Sequence, residues 1–271
     1  MTSSTDLLGS VEDLPRHEVE RLLAVASGRS WTELLLGVDL DEGTTARFEK
    51  LASRRRAGEP LQYIEGRLPF GPIDVSVDPR VLVPRPETEQ LFELAVSETS
   101  DPHVIVDLCT GSGNLALALK HTFPTAVVYA TDISCDAVEV TESNARAAGL
   151  EIEVSSGDLF DPLPKHLAGK VDLIVANPPY LAERELADLP VDVRDHEPVG
   201  ALVAGPNGDE VLARIAGEAG DWLRPGGVVI CEVGEFHGAA IAEHFATLDG
   251  EVFPDLNGRD RFVVGRVPLA E

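Results

Sequence analysis

Four consecutive residues, Asn177-Pro178-Pro179-Tyr180, combine two fixed polar acceptors with an aromatic ring. A proline fixes its own φ and restricts the residue before it, so the Asn177 side chain and the Pro178 carbonyl are held in place. An amide or exocyclic amino nitrogen is a poor nucleophile because its lone pair is delocalised into the adjoining π system. The Asn177 side-chain oxygen and the Pro178 carbonyl can accept the two N–H hydrogens of such a group and turn its lone pair toward an electrophile. The Tyr180 ring would then pack on the planar amide or base. On this reading Asn177 and Pro178 are the candidate catalytic positions, and Asn177, Pro178, Pro179 and Tyr180 the candidate substrate contacts. A Pro-Pro turn that closes a strand, with Asn177 as its cap, is the plainer alternative.

A second constellation lies upstream. Val104-Ile-Val-Asp-Leu108 runs into Cys109-Thr110-Gly111-Ser112-Gly113 and then Asn114-Leu-Ala-Leu-Ala118, the pattern of strand, tight glycine turn and helix. Glycines let the backbone approach a ligand at positive φ, and the helix start behind them offers free N–H groups to a carboxylate or phosphate. Gly111, Gly113 and Ala116 satisfy G-x-G-x-x-A, and Asp132 closes the next strand, where a ribose-binding acid belongs. Taken alone, the segment fits a nicotinamide dinucleotide as well as another nucleotide-type ligand. Asp107 either caps the loop or meets the ligand's amino group.

The elements around these motifs follow from periodicity. Apolar residues recur at helical spacing over residues 15–58, with Ser30 as the N-cap of a second helix. Residues 67–83 change to short apolar pieces broken by Pro69, Gly71-Pro72 and Pro79, a hairpin-like connector that places a boundary near residues 66–85. Beyond it, strands at 103–108, 126–131 and 171–176 alternate with helices at 115–121 and 137–148. A helix at 209–222 and strands at 227–233 and 261–265 follow. Such alternation implies an α/β fold, a parallel sheet wrapped by helices. Asn177 then stands at a strand's carboxyl end, the crevice where open sheets bind ligands.

Composition narrows the function classes. With 22 basic and 47 acidic residues the net charge is −25, the reverse of a nucleic-acid binder's basic face, so no direct nucleic-acid partner is expected. Positive charge clusters once, at Arg54-Arg55-Arg56, which reads as a solvated helix face. The segment Met1–Asp6 has no signal-like pattern and no apolar run approaches a membrane span, so no membrane partner is expected. Cys109, Cys135 and Cys231 are too dispersed for a disulfide framework or a zinc site, which points to a reducing cytoplasm. The seven histidines fall singly, without metal spacing or a paired acid, so no metal is expected. Glu232 and Glu235 flank Gly234 at a strand end, where turn chemistry is the default and an acidic base the alternative.

With these motifs in order, the chain resembles the class I S-adenosylmethionine-dependent methyltransferases that act on planar nitrogen, and among them the release factor glutamine methyltransferases. The resemblance runs through Glu59-Pro-Leu-Gln-Tyr-Ile-Glu-Gly66, Val81-Leu-Val-Pro-Arg-Pro-Glu-Thr-Glu89, Asp107-Leu-Cys-Thr-Gly-Ser-Gly113, Asn177-Pro-Pro-Tyr180, His196-Glu-Pro198 and Gly258-Arg-Asp-Arg-Phe262. It implies a Rossmann-like methyltransferase sheet at residues 86–271, a hairpin connector at 67–85, and a helical substrate-binding domain at 1–66. It implies S-adenosyl-L-methionine as cofactor. Cys109 would belong to the cofactor site, and Thr110 to Gly113, with Gly111 and Ser112 between them, would cradle the methionine part, Asp132 the ribose, Asp158 and Leu159 or the adjacent Phe160 the adenine. Asn177 would face both cofactor and substrate. Cys109 stands where the family more often has glycine, so the loop's first residue is expected to avoid a glycine-only conformation. Arg85 and Glu87 either line the site or form a structural ion pair.

The implied reaction methylates the glutamine amide of a Gly-Gly-Gln motif in peptide-chain release factors, a step connected to translation termination. Three alternatives stand beside it: a ribosomal-protein glutamine, the amino group of adenine in nucleic acid, and cofactor binding without catalysis.

Overall fold

The structure is a computed structural model that describes residues 2–234, 241 and 243–269. The chain divides into two compact units, residues 1–68 with 190–196, and residues 69–189 with 197–271.

In the first unit, β1 (Thr2–Ser3) pairs antiparallel with β2 (Asp39–Leu40) beside helices α1 (Ser4–Ser10), α2 (Arg16–Ser27), α3 (Trp31–Leu35), α4 (Glu42–Arg56) and α5 (Leu61–Glu65). Ser30 does cap α3. Its hydroxyl accepts from the Glu33 N–H at 3.4 Å, and the Glu33 carboxylate accepts from the Ser30 N–H at 2.9 Å, a reciprocal capping box. Gly28 ends α2 at φ 66°, the left-handed turn that costs glycine least. Leu8, Val19, Leu22, Leu23, Leu34 and Phe48 form the buried core. Helix α1 lies upstream of the expected helical stretch; Leu7 and Leu8 are buried, and this packing outweighs the weak propensity of its Ser, Thr and Gly. The three arginines ending α4 are not a free solvated face: Arg54 pairs with Glu59, Arg55 with Glu18 and Arg56 with Asp13.

A two-stranded sheet of β3 (Arg67–Phe70) and β4 (Ile73–Ser76) follows, then α6 (Pro86–Glu98). The central sheet holds β5 (Val104–Leu108), β6 (Val127–Asp132), β7 (Glu153–Ser156), β8 (Val171–Ala176), β11 (Leu223–Glu232), β12 (Glu251–Pro254) and β13 (Asp260–Arg266). Among the described residues their order is β12-β13-β11-β8-β5-β6-β7. Pairings from β11 through β8, β5 and β6 to β7 are parallel, and β13 is antiparallel to both β11 and β12. All six residues of β8 are buried, as expected of a parallel strand covered on both faces, and the one polar residue among them, Asp172, accepts from the His103 and Val104 N–H groups and pairs with Arg224. Helices α7 (Asn114–Thr122), α8 (Cys135–Ala148) and α10 (Glu210–Trp222) link the strands.

The short strands β9 (Leu181–Ala182) and β10 (Val203–Gly205) form a parallel pair. Between them α9 (Val191–His196) belongs by its contacts to the helical unit, although the linear partition places residues 190–196 in the catalytic part. His244, expected to lack an acid, has its Nε2 3.1 Å from Asp209 Oδ2.

The chain runs β5, β6, β7 outward on one side and returns to β8 on the other. The connections leaving β5 and β8 therefore part, and the sheet opens a crevice at the carboxyl ends of these two strands.

Candidate active site

A cavity of about 520 Å³ occupies that crevice. The end of β5 supplies its floor through the glycine loop. Asp107, fully buried, accepts on Oδ2 from the Thr110 hydroxyl at 2.6 Å and from the Ala116 N–H at 3.1 Å, tying the loop to the start of α7. Its other oxygen, Oδ1, is buried without a partner. Burial pushes this carboxyl up to about 7, against the lowering effect of its two donors. One oxygen thus caps the loop while the other is left over, so the two readings of Asp107 are not exclusive.

Helix α8 braces the loop from behind. Thr141 donates to the Gly111 carbonyl at 2.9 Å, and the Asn144 amide donates to the carbonyls of Ser112 and Ser76 at 2.8 and 2.9 Å. Gly113 adopts φ 80°, and a Cβ there would stand 2.8 Å from Thr141 Cγ2, so conformation and space both demand glycine. Cys109 overturns the expectation made for it. Its φ of 57° lies in the left-handed region that favours glycine, and the fold accommodates a strained side chain there at about 1–2 kcal/mol.

Asp132 ends β6 with its carboxylate already engaged, accepting from the N–H groups of Gly111 and Ser134 at 2.9 Å each. Burial raises its pKa, opposed by those two bonds. Asp158 binds both terminal nitrogens of Arg214 at 3.1 and 2.8 Å, a partner that no local pattern announces. Leu159 lines the cavity, whereas Phe160 stacks on Trp222 in the core with ring centroids 5.7 Å apart.

From the end of β8, Asn177 and Pro179 reach the cavity wall. Asn177 donates from Nδ2 to the Thr88 hydroxyl at 3.0 Å, and Thr88 donates to Glu232 Oε2 at 2.8 Å. Tyr180 donates to Glu232 Oε1 at 3.4 Å, and burial followed by the Glu232 charge pushes its phenol upward. Glu232 is therefore a buried strand-end carboxylate and not part of a turn; Glu235 and His237 lie outside the described residues. Arg85 forms an ion pair, but with Glu197 at 2.6 Å and not with Glu87.

Of the site residues named from sequence, Cys109, Thr110, Gly111, Ser112, Asp132, Asp158, Leu159, Asn177 and Pro179 share this one cavity. Gly113, Pro178 and Tyr180 are not on its wall. Thr88, which lines it, was missed: Asn177 and Glu232 stand 89 and 144 residues from it in sequence, beyond the reach of any local pattern. A larger and more open groove of about 700 Å³ lies over the starting ends of β6 and β7, on the side of the sheet away from these motifs.

The residues present fit a methionine-bearing nucleoside. Asp107 has an unused buried oxygen, the glycine loop leaves space beside Gly111, and Asp132 is an acid at a second strand end. Sheet order, glycine loop and strand-end Asn-Pro-Pro-Tyr together define a class I S-adenosylmethionine-dependent methyltransferase. Residues 2–66 match the family model described as PrmC N-terminal domain, and residues 89–191 match the methyltransferase small domain. A release factor glutamine methyltransferase from Mycolicibacterium smegmatis is 42% identical, over 92% of this chain and 89% of the relative. Another from Moorella thermoacetica is 42% identical over 93% and 91%. In fold, a methyltransferase of solved structure from Pyrococcus furiosus aligns with a TM-score of 0.57 at 20% identity, over 80% of this chain and 100% of that one. The chain belongs to the release factor glutamine methyltransferase family.

Proposed function

We propose that this protein methylates the side-chain amide of the glutamine in the Gly-Gly-Gln motif of a peptide-chain release factor, in the cytoplasm where release factors work. The observation that carries the reading is the commitment of Asn177 Nδ2 to Thr88 at the cavity wall, which leaves Oδ1 as an acceptor beside the cofactor space. When bound, S-adenosylmethionine supplies an electrophilic methyl group on a positively charged sulfur.

The chain's own residues do the rest. Thr110 to Gly113 cradle the methionine part, with the free Asp107 oxygen accepting from its ammonium group. Asp132 accepts from the ribose hydroxyls, and Asp158 and Leu159 hold the adenine. Asn177 Oδ1 and the Pro178 carbonyl accept the two amide N–H hydrogens and turn the nitrogen lone pair toward the methyl group. Tyr180 packs on the amide plane, and Pro179 keeps the turn rigid. One hydrogen leaves the methylated nitrogen as a proton to water, so a neutral acceptor suffices and no side chain needs to act as the base. The helical unit binds the release factor away from the reacting amide, which raises the rate by positioning.

The test is to incubate the protein with labelled S-adenosylmethionine and its cognate release factor and to map the label by peptide mass spectrometry. Label on the Gly-Gly-Gln glutamine supports the assignment. Label in methyl-adenine or in a ribosomal protein, with the release factor unmodified, moves the substrate elsewhere.

A further inference from the structure

One buried carboxylate grips the acceptor motif at both ends. Glu232, 1% exposed, accepts from the Thr88 hydroxyl on one oxygen and from the Tyr180 hydroxyl on the other. Thr88, also 1% exposed in the first turn of α6, accepts from Asn177 Nδ2. The direction of these bonds is constrained. An ionised carboxylate can only accept, and a threonine hydroxyl has a single hydrogen. Thr88 gives that hydrogen to Glu232 and meets Asn177 with a lone pair, which only the NH₂ side of the Asn177 amide can face. The Asn177 oxygen is left for another donor. If Glu232 is protonated it can donate to Thr88, whose hydroxyl is then free to turn toward Asn177. The amide can then reverse and present NH₂ where a substrate N–H must arrive, donor against donor.

We infer that Thr88 and Glu232 are positioning residues that fix which way the Asn177 amide faces, so that a carboxylate not touching Asn177 sets its readiness to accept. The inference rests on the proposed role of Asn177 as acceptor. The groups that act on Glu232 are Thr88 and Glu87 from α6, Tyr180 from the turn after β8, and Arg261 from β13; Arg85 acts on Tyr180. Burial pushes Glu232 up to about 7, opposed by the Thr88 hydrogen bond and the Arg261 charge. The orienting effect is therefore complete above this value and fades as pH falls through it.

Substitutions at Thr88 and Glu232 test this, read by methyl transfer and by nuclear magnetic resonance. Thr88→Val keeps the shape and removes the hydroxyl; single-turnover methyl transfer should fall about 10-fold to 100-fold, with cofactor affinity within about 2-fold. Thr88→Ser, which restores a hydroxyl, should recover most of the rate. At saturating cofactor, so that Asp107 is read in affinity and not in rate, the wild-type rate should rise with pH through about 7. In Glu232→Gln that limb should be absent. The second readout needs no substrate. In protein labelled with ¹⁵N asparagine, the Asn177 side-chain amide, assigned by its loss in Asn177→Ala, should shift with pH in the wild type and not in Thr88→Val or Glu232→Gln. Wild-type rates in Thr88→Val, or an Asn177 signal indifferent to pH and to both substitutions, would overturn the inference. If the release factor proves not to be the substrate, the nuclear magnetic resonance titration still decides it.

Discussion

Ion pairs occur in both units, but the catalytic unit adds two carboxylates of another kind at its crevice. In the helical unit, Glu18, Glu59 and Asp13 each meet a guanidinium, from Arg55, Arg54 and Arg56, and each pKa is lowered first by that hydrogen bond. Arg21 and Glu65 form a further pair. In the catalytic unit, Asp107 and Glu232 are buried against hydroxyls or N–H groups, and burial pushes both up to about 7. A paired carboxylate has its lone pairs spoken for and serves to hold helices together. A buried one held by directional neutral donors keeps an oxygen free or dictates which way a neighbour's hydrogens point. Glu18, Glu59 and Asp13 therefore serve the packing of the helices, and Asp107 and Glu232 the geometry of the crevice.

The largest test of this division is Gly113→Val. The required φ of 80° and the 2.8 Å approach to Thr141 leave no unstrained alternative, so the loop that Asp107 ties down should be displaced. Cofactor affinity measured by calorimetry should drop more than about 100-fold, with a stability loss of about 2–4 kcal/mol. Unchanged affinity would detach the glycine loop from the cofactor.

The next is pH dependence, where the two sets have opposite signs. Burial lifts the pKa values of Asp107 and Glu232 in the folded protein above the ordinary carboxylate range, to about 7. They bind protons more tightly when folded, so their contribution is complete below about pH 4 and is lost as pH rises through about 7. Glu18 and Glu59 are lowered, so theirs is complete above the ordinary carboxylate range and lost as pH falls below it. Denaturant midpoints of Asp107→Asn should accordingly decline less than the wild type's between about pH 4 and pH 7. Equal slopes in the two proteins would mean that the buried carboxyl does not titrate in that window.

The smallest effect is expected at Glu18→Gln, which breaks the partly covered pair with Arg55. Thermal unfolding should register a loss of about 1 kcal/mol, above a fully exposed pair and below a buried one. Cofactor affinity should not change. A changed affinity there would blur the distinction between the two units.

Much of this was legible in the sequence. The strands β5 and β8 announce themselves as β-branched apolar runs, each broken by a single aspartate, and the glycine loop and the Asn-Pro-Pro-Tyr turn read directly as a ligand crevice. Strand β7, Glu-Val-Ser-Ser, was not expected, because four mostly polar residues at a sheet edge carry no period of their own. Helix α6 lies outside the expected elements, although Pro86 at its first turn, followed by Glu87 and Glu89, is a helix-start signal. The partners Thr88–Glu232, Arg85–Glu197 and Asp158–Arg214 leave no trace in local spacing, since only the folded sheet brings them together. Cys109 misled for a different reason: a left-handed conformation is disfavoured for a side chain, yet a loop tied at Asp107, Gly111 and Ser112 imposes it.

The central claim is that a fixed neutral acceptor at Asn177, and not a proton-abstracting base, drives transfer. It is tested most directly by Asn177→Ala, measured in parallel by calorimetry with S-adenosylmethionine and by single-turnover transfer to the release factor. The account predicts a rate about 100-fold to 1,000-fold lower, a barrier raised by about 3–4 kcal/mol, with cofactor affinity and folding nearly intact. Transfer at close to the normal rate would contradict it, and a joint collapse of affinity, folding and rate would reduce Asn177 to a structural residue.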